Sequence, residues 1–526
     1  MGSLVSPKIQ RIAIVGGGPS GICAAKYLLA ENTFARIQIF EQSGTVQGAW
    51  KHTPVETLDD VDVPQINPYQ PLPKPKNVIA DNGGPTFITP MYDTLETNIP
   101  HQLMGFADKP FPLNSALYPP REEVSKYLEE YAEDVRHLVS FHNQVQNIRF
   151  IGTSFQDLWL VTTQDLLTGD NFEAEFDAVV ICSGHYDLPY IPDVPGITNW
   201  NKAFPDNISH SKFYRNPSSF TGQKVIIVGN SASGMDIANQ IAQVSANPLL
   251  VSQRSTSWLS GSNSKSEESR LTVLPQIVEY LDPTKHNRAV RFADGRVECD
   301  IDKILYCTGY LYSFPFLSDF LEEIIEDGAR VHNIYKFIFF TKHPSLAFVG
   351  LPIRILPFPL AEAQAAVIAK IFSEQLSLPS LADMRLWEDQ TVRDNGDGKK
   401  FLILDKMKDF LYHNDLYDWA NEAKFRPGYK PKRWSREDFW HRSKFPEIKK
   451  AYIDHGEARY DIKRPEQLGF VYDETQMNNH ANWGVTAEFL YIYGQLESIE
   501  LERKQWVREP SLTDNDDEQL RETCCH

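Results

Sequence analysis

Ile12-Ala13-Ile14-Val15 runs straight into Gly16-Gly17-Gly18-Pro19-Ser20-Gly21, and the pattern returns as Val225-Ile226-Ile227-Val228 followed by Gly229-Asn230-Ser231-Ala232-Ser233-Gly234. A short apolar run followed by glycine describes a parallel strand, buried on both faces, that ends in a tight turn. The first glycine of such a loop makes the turn. The middle position lets backbone approach a diphosphate, and the last glycine lets helix and strand pack closely. The N–H groups opening the helix then offer a partial positive charge to the phosphates. In the second copy Ser231 replaces the middle glycine and adds a hydroxyl. The copies diverge about twenty residues further on, where such folds read the ribose. Glu41 follows the first loop, and Arg254-Ser255-Thr256 follows the second. A carboxylate accepts from a ribose 2′-hydroxyl and repels a 2′-phosphate, whereas a guanidinium attracts the phosphate. The first site is expected to hold FAD or NAD, and the second NADPH. The bland alternative for Arg254 is a surface salt bridge. Two such cofactors on one chain mean redox chemistry.

Working outward, residues 19–30 have helical spacing with an alanine-rich face, and Arg36–Phe40 is the next strand, completing one βαβ unit. Residues 224–228, 232–244 and 248–252 repeat it. Asp177–Ile181 and Asp302–Tyr306 are two more apolar strands, each ending in a cysteine and a small loop. Cys182 and Cys307 read as small buried strand-end residues, since neither belongs to a Cys-x-x-Cys pair. Residues 53–120 are rich in proline and poor in periodicity, the mark of a functional or disordered segment, and their aromatic content suggests packing over a ligand. Residues 360–376 read as an amphipathic helix. Beyond about residue 385, Trp387, Trp419, Trp434, Trp440 and Trp483 are interleaved with charges of both signs. That composition predicts a helical extension packed on the first lobe.

The 526 residues carry 52 basic and 70 acidic side chains, a net charge of −18, with 42% apolar residues. This is the balance of a folded multi-domain protein and argues against nucleic-acid binding. No run of about 18 apolar residues is present, so no membrane span is expected. The six cysteines are scattered, which fits a reducing cytoplasmic setting. Met1-Gly2-Ser3-Leu4-Val5-Ser6 matches a myristoylation pattern, read chiefly as a disordered start. The end, Cys524-Cys525-His526 after acidic residues 514–518, reads as a disordered tail. No metal site is expected.

Phe204-Pro205-Asp206-Asn207-Ile208-Ser209-His210-Ser211-Lys212-Phe213-Tyr214 resembles the identifying sequence of class B flavin-containing monooxygenases, with Asp206 where that family has glycine. Phe40-Glu41 to Gly48-Ala49-Trp50 resembles the segment from its ribose-binding acid to a Gly-x-Trp, with Gln47 in place of the first of two glycines. Tyr92 to Pro100 resembles the segment that carries an asparagine, here Asn98, beside the flavin. Cys307-Thr308-Gly309-Tyr310 resembles its Ala-Thr-Gly-Tyr motif. The resemblance spans residues 10 to about 375 and looks most like soluble fungal, yeast or plant members.

The resemblance implies an α/β fold of two Rossmann-like domains plus a mostly helical C-terminal extension. Residues 1–203 and 326–385 would form the FAD-binding domain, 204–325 the NADPH-binding domain inserted in it, and 386–526 the extension. It implies FAD contacts from Gly16, Gly18, Pro19, Ser20, Gly21, Glu41, Gln42, Gly48, Trp50, Asn98, Val145 and Gln364. It implies NADPH contacts from Tyr214, Gly229, Ser231, Ala232, Ser233, Gly234, Arg254, Ser255, Thr308, Gly309 and Tyr310. His210 and Tyr214 read equally well as packing residues. Asn98, the catalytic candidate, has the alternative of capping a turn before Pro100. The implied enzyme is an NADPH-dependent monooxygenase in which reduced flavin captures dioxygen as a peroxide at its C4a carbon. A soft nitrogen or sulfur nucleophile of a small molecule then takes the distal oxygen. Related enzymes often form homodimers. Baeyer–Villiger oxygenation is the nearest rival, although Tyr214 stands where that branch has tryptophan. A disulfide reductase would need the missing cysteine pair. A non-catalytic NADPH sensor is the alternative from another class.

Overall fold

The computed structural model describes residues 9–54, 61–77, 84–153, 156–254, 270–404, 408–423 and 429–474. The expectations for Gly2, Ser255, Thr256, Trp483 and the acidic tail lie outside these residues. The first lobe is built on β1 (Arg11–Val15), α1 (Pro19–Ala30), β2 (Arg36–Phe40), β3 (Val139–Ser140) and β4 (Ala178–Ile181). The second is built on β5 (Ile208–His210), β6 (Val225–Val228), α2 (Ala232–Ile241), β7 (Leu249–Gln253), β8 (Leu271–Pro275) and β9 (Lys303–Tyr306). The chain then returns to the first sheet through β10 (Ile334–Tyr335), β11 (Phe339–Phe340) and β12 (Leu346–Phe348).

The first sheet has the order β10-β11-β12-β4-β1-β2-β3, parallel from β12 to β3. The second, all parallel, has the order β5-β9-β6-β7-β8. In both, the first strand of the unit lies where the strand order reverses. Open α/β sheets bind ligands in the crevice at the carboxyl ends of such strands. The apolar runs are continuous because both faces are covered. In the second lobe Ile226, Leu250 and Ile304 pack on one face, while Val225, Ile227, Val251 and Leu305 pack on the other. That alternation follows the two-residue period of a strand.

The remaining helices are α3 (Pro357–Phe372), α4 (Leu381–Asn395), α5 (Lys408–Asn421), α6 (Arg436–Ser443) and α7 (Phe445–Asp454). α3 begins three residues earlier than its apolar period suggests, because Pro357 sits in the first turn with its φ already helical. α2 ends at Ile241 rather than 244. The N–H groups of Val244 and Ser245 both turn back to the Ile241 carbonyl ahead of Pro248. The extension packs on the first lobe as expected, with Phe401, Leu402, Tyr412 and Leu416 in its core. The tryptophans are packing residues: Trp387 and Trp419 lie against Tyr335, and Trp434 stacks on His413.

Candidate active site

The two loops are built alike to within tenths of an ångström. Gly16 has φ +98° and Gly229 +113°, so both need glycine. A Cβ on Gly16 would lie 2.6 Å from the Cys182 carbonyl oxygen, and one on Gly229 would lie 2.5 Å from that of Cys307. Each cysteine thus ends the strand beside the loop, with a buried thiol. Burial pushes the Cys182 thiol up and raises that of Cys307 to about 12, so neither is a ready nucleophile. A Cβ on Gly21 would meet the Gly16 carbonyl oxygen at 1.9 Å, and one on Gly234 would meet that of Gly229 at 2.4 Å. Gly18 (φ −72°, ψ −171°) and Ser231 (φ −77°, ψ −175°) hold the same extended backbone. Serine is therefore accommodated at the middle position. Neither helix has a side-chain cap or an acid in its first turn. The groups facing an incoming diphosphate are backbone N–H donors, with Ser20 and Ser233 beside them. This cradle fits a dinucleotide.

Glu41 is 6% exposed. Its Oε2 accepts from Gly17 N at 2.7 Å and its Oε1 from Ser43 N at 2.7 Å. Burial raises its carboxyl, opposed by those two N–H donors. Each oxygen keeps a lone pair for a ribose hydroxyl. Gln42 accepts from Gln144 at 3.0 Å, and Val145 is buried nearby on the strand that starts at Asn143, whose N–H donates to Glu41 O. Gly48 (φ +54°) closes on the loop: a Cβ there would lie 2.9 Å from Gly18 Cα. Gln47 has ordinary helical angles, φ −78° and ψ −19°, so its departure from glycine costs nothing. Trp50 packs edge-on against Phe358. Gln364 is fully buried; its Oε1 accepts from Gly350 N at 2.8 Å and its Nε2 donates to Tyr412 at 3.0 Å. A Cβ on Gly350 would lie 3.2 Å from Ser20 Oγ, so Gln364 steadies backbone beside the first cradle. The ring of His185, in the loop after β4, is enclosed beside the Gly350 backbone, and burial lowers its pKa to about 4, so it is neutral there.

In the second lobe Arg254 is exposed, just past the end of β7. Gly309 has φ +80°, and Thr308 donates to the Tyr190 carbonyl. His210 is buried; its Nδ1 accepts from Lys212 N, and its Nε2 therefore donates to Gly309 O at 3.1 Å. Burial lowers its pKa to about 3, so it is neutral and fixes the loop that Thr308, Gly309 and Tyr310 share. Asp206 takes φ +66°, keeping the left-handed turn a glycine would make, as aspartate can. Tyr214 is not brought to this edge. Its hydroxyl donates to Gln240, near the far end of α2, and its ring packs on Tyr92 and Phe220.

Residues 89–98 join the lobes. Tyr92 donates to Asp236 and Thr94 to Gln240, both on α2. Asn98 is exposed, and its side chain has no partner among the described residues. It caps no helix, since Pro100 precedes the short helix His101–Met104. Arg215, which the sequence did not flag, is 2% exposed. Its guanidinium donates to the carbonyls of Thr53, Thr89, Lys212 and Tyr214 and so ties the proline-rich segment to the second lobe. Arg215→Met is expected to leave buried carbonyls unpaired and to cost on the order of 3 kcal/mol. Thermal melting of the flavin-loaded protein checks this; an unchanged melting temperature would show that the tie is dispensable.

The model of the flavin-binding monooxygenase-like family matches residues 82–269 and 270–406. The chain belongs to that family. A flavin-containing monooxygenase of the GS-OX-like group from Arabidopsis thaliana is 31% identical over 432 residues, 78% of this chain and 88% of that one. The thiol-specific monooxygenase of Saccharomyces cerevisiae is 30% identical over 442 residues, 81% and 89% of the two chains. The structure of S-allyl-L-cysteine S-oxygenase from Allium sativum superposes with a TM-score of 0.69 at 27% identity, covering 90% of this chain and 99% of that one. The chain is thus an oxidoreductase, a flavoprotein monooxygenase of two Rossmann-like lobes with helices. Its co-substrates are a small molecule and oxygen. Among the described residues no helix is long and apolar enough to cross a membrane.

Proposed function

We propose that this flavin-containing monooxygenase uses NADPH and dioxygen to oxygenate a soft nitrogen or sulfur nucleophile of a small molecule. The observation that carries the reading is the pairing of two matched cradles with opposite ribose-end charges, Glu41 and Arg254. Residues 1–203 and 326–385 would hold FAD: Gly16, Gly18, Ser20 and Gly21 at the diphosphate, Glu41 at the ribose, Gly48 and Trp50 closing over the loop. Residues 204–325 would hold NADPH: Gly229, Ser231, Ser233 and Gly234 at the diphosphate, Arg254 at the 2′-phosphate, and Thr308 to Tyr310 along the same edge. The chemistry supplied when both are bound is two-electron transfer from reduced nicotinamide through flavin to dioxygen. The protein orients the cofactors and excludes water.

His210 holds the loop carrying Gly309, Gln364 holds that carrying Gly350, and Arg215 fixes how the lobes meet. Asn98 offers a neutral amide that can donate a hydrogen bond without releasing a proton. Asn98→Ala is expected to reduce its flavin at the normal rate yet release most of its oxygen as hydrogen peroxide. Peroxide formed per NADPH consumed is the measurement; unchanged coupling would make Asn98 structural.

Two relatives are named for sulfur substrates, so thiols and thioethers come first in the substrate test, then tertiary amines, then cyclic ketones. Mass spectrometry with labelled dioxygen should find one labelled atom on sulfur or nitrogen. Ester formation from the ketone alone would establish the Baeyer–Villiger alternative instead.

A further inference from the structure

We infer that Lys399, from the C-terminal extension, is a second cationic ligand of the NADPH 2′-phosphate, facing Arg254 across the edge of the second sheet; this rests on the reading that the second lobe holds NADPH. Lys399 lies in the single turn Gly398–Lys400. That turn is fixed to the first lobe. Asp397 accepts from Gly398 N at 2.8 Å and pairs with Arg330 at 2.7 Å. Arg330 in turn pairs with Glu388 at 2.8 Å and lies over the ring of the fully buried Phe401. From this anchor the Lys399 side chain crosses to the second lobe. Its Nζ is 3.4 Å from Thr308 O and 4.6 Å from the centre of the Tyr190 ring.

The strand register places that ammonium. Val228 is opposite both Tyr306 of β9 and Ser252 of β7. Thr308 and Arg254 each come two residues beyond those partners. They therefore flank the second cradle from either side at the same carboxyl edge, about 10 Å apart at two strand spacings. Two long cationic side chains can meet a single phosphate across that gap.

No carboxylate lies within ion-pair distance of Lys399 or Arg254 among the described residues, although Asp327 is near enough to offset part of the repulsion at Lys399. Burial and the neighbouring charge of Arg254 hold the Lys399 ammonium below its ordinary value. A half-buried lysine that feels a second cation is disfavoured unless an anion joins them. An inserted phosphate supplies that anion and a charge-assisted partner for each donor. The arrangement also couples the extension to the cofactor, because the first lobe carries the turn while the second carries the cradle.

The rival role for Lys399 is a latch between lobes, made only through Thr308 and Tyr190. Calorimetry on the oxidised, flavin-loaded enzyme separates the two, with NADP⁺, NAD⁺, 2′,5′-ADP and 5′-AMP as probes. Lys399→Gln should weaken NADP⁺ and 2′,5′-ADP at least about tenfold, the scale of one charge-assisted hydrogen bond, and leave NAD⁺ and 5′-AMP nearly unchanged. Lys399→Arg should restore most of the loss, which also guards against misfolding of the glutamine variant. Equal weakening of NAD⁺ and NADP⁺, or no weakening, would overturn the assignment in favour of the latch. Arg254→Ala serves as the reference. If it lowers the preference for NADP⁺ and Lys399→Gln does not, only the role of Lys399 fails. If the unmodified enzyme binds NAD⁺ as tightly as NADP⁺, the reading of the second lobe fails with it.

Discussion

Gly21→Ala is expected to purify without flavin, whereas Gly234→Ala is expected to keep its flavin and lose NADP⁺. The two substitutions are chemically identical and sit in twin loops. Each adds one methyl group where the first turn of a helix touches the glycine that ends a strand. A Cβ at Gly21 would be 1.9 Å from Gly16 O, and one at Gly234 would be 2.4 Å from Gly229 O. Neither carbonyl can retreat, because Gly16 N is bonded to Phe40 O and Gly229 N to Ser252 O, at 2.9 and 3.0 Å. The helix must move instead, and its N-terminal donors leave the diphosphate. Losing two or more charge-assisted hydrogen bonds means an affinity loss of roughly a hundredfold or more. Flavin-to-protein absorbance ratio reports the first variant, and NADP⁺ calorimetry the second. Gly105→Ala is the control, since that glycine has φ −66° and a Cβ there would meet its neighbours at no less than 3.4 Å. Full flavin content in Gly21→Ala would remove the first loop from the cofactor site.

The sequence made these loops legible because their information is local. A strand, a glycine that must adopt positive φ, and a helix start all fall within ten residues, and each has its own period or dihedral demand. The same locality lets a departure be understood afterwards. Asp206 keeps the left-handed turn, and Gln47 falls where no special angle is needed. What the sequence could not show were residues whose partners are distant. Arg215 looks like any surface arginine until the fold brings the carbonyls of Thr53 and Thr89 to it. The resemblance sets Gln364 against FAD, yet its amide is committed to Gly350 and Tyr412. Tyr214 sits inside an identifying motif, but the fold turns its hydroxyl to Gln240 rather than to the cradle. A motif records which residues recur together, and only packing decides which of them reach the ligand.

Arg254→Ala is expected to lower NADPH use at least about tenfold and to leave NADH use nearly unchanged. The argument rests on contrast with Glu41. Both residues follow the second strand of their βαβ unit. Glu41 is buried and oriented by the N–H groups of Gly17 and Ser43. Those bonds fix a carboxylate where ribose hydroxyls arrive and where a phosphate would be repelled. Arg254 is exposed at the end of β7, with no described carboxylate to neutralise it. A guanidinium there contributes only when a phosphate is present, so its removal is a 2′-phosphate effect. One charged hydrogen bond is worth about 1.5–3 kcal/mol, or roughly ten- to more than a hundredfold. Being exposed, the interaction is also screened by salt. The measurement is kcat/KM for both nucleotides at low and physiological ionic strength. The unmodified enzyme should lose part of its NADPH preference as salt rises, and the alanine variant should show little further change. Equal losses for NADH and NADPH would mean that Arg254 supports the lobe rather than reads the phosphate, and the identity of the second cofactor would then need another explanation.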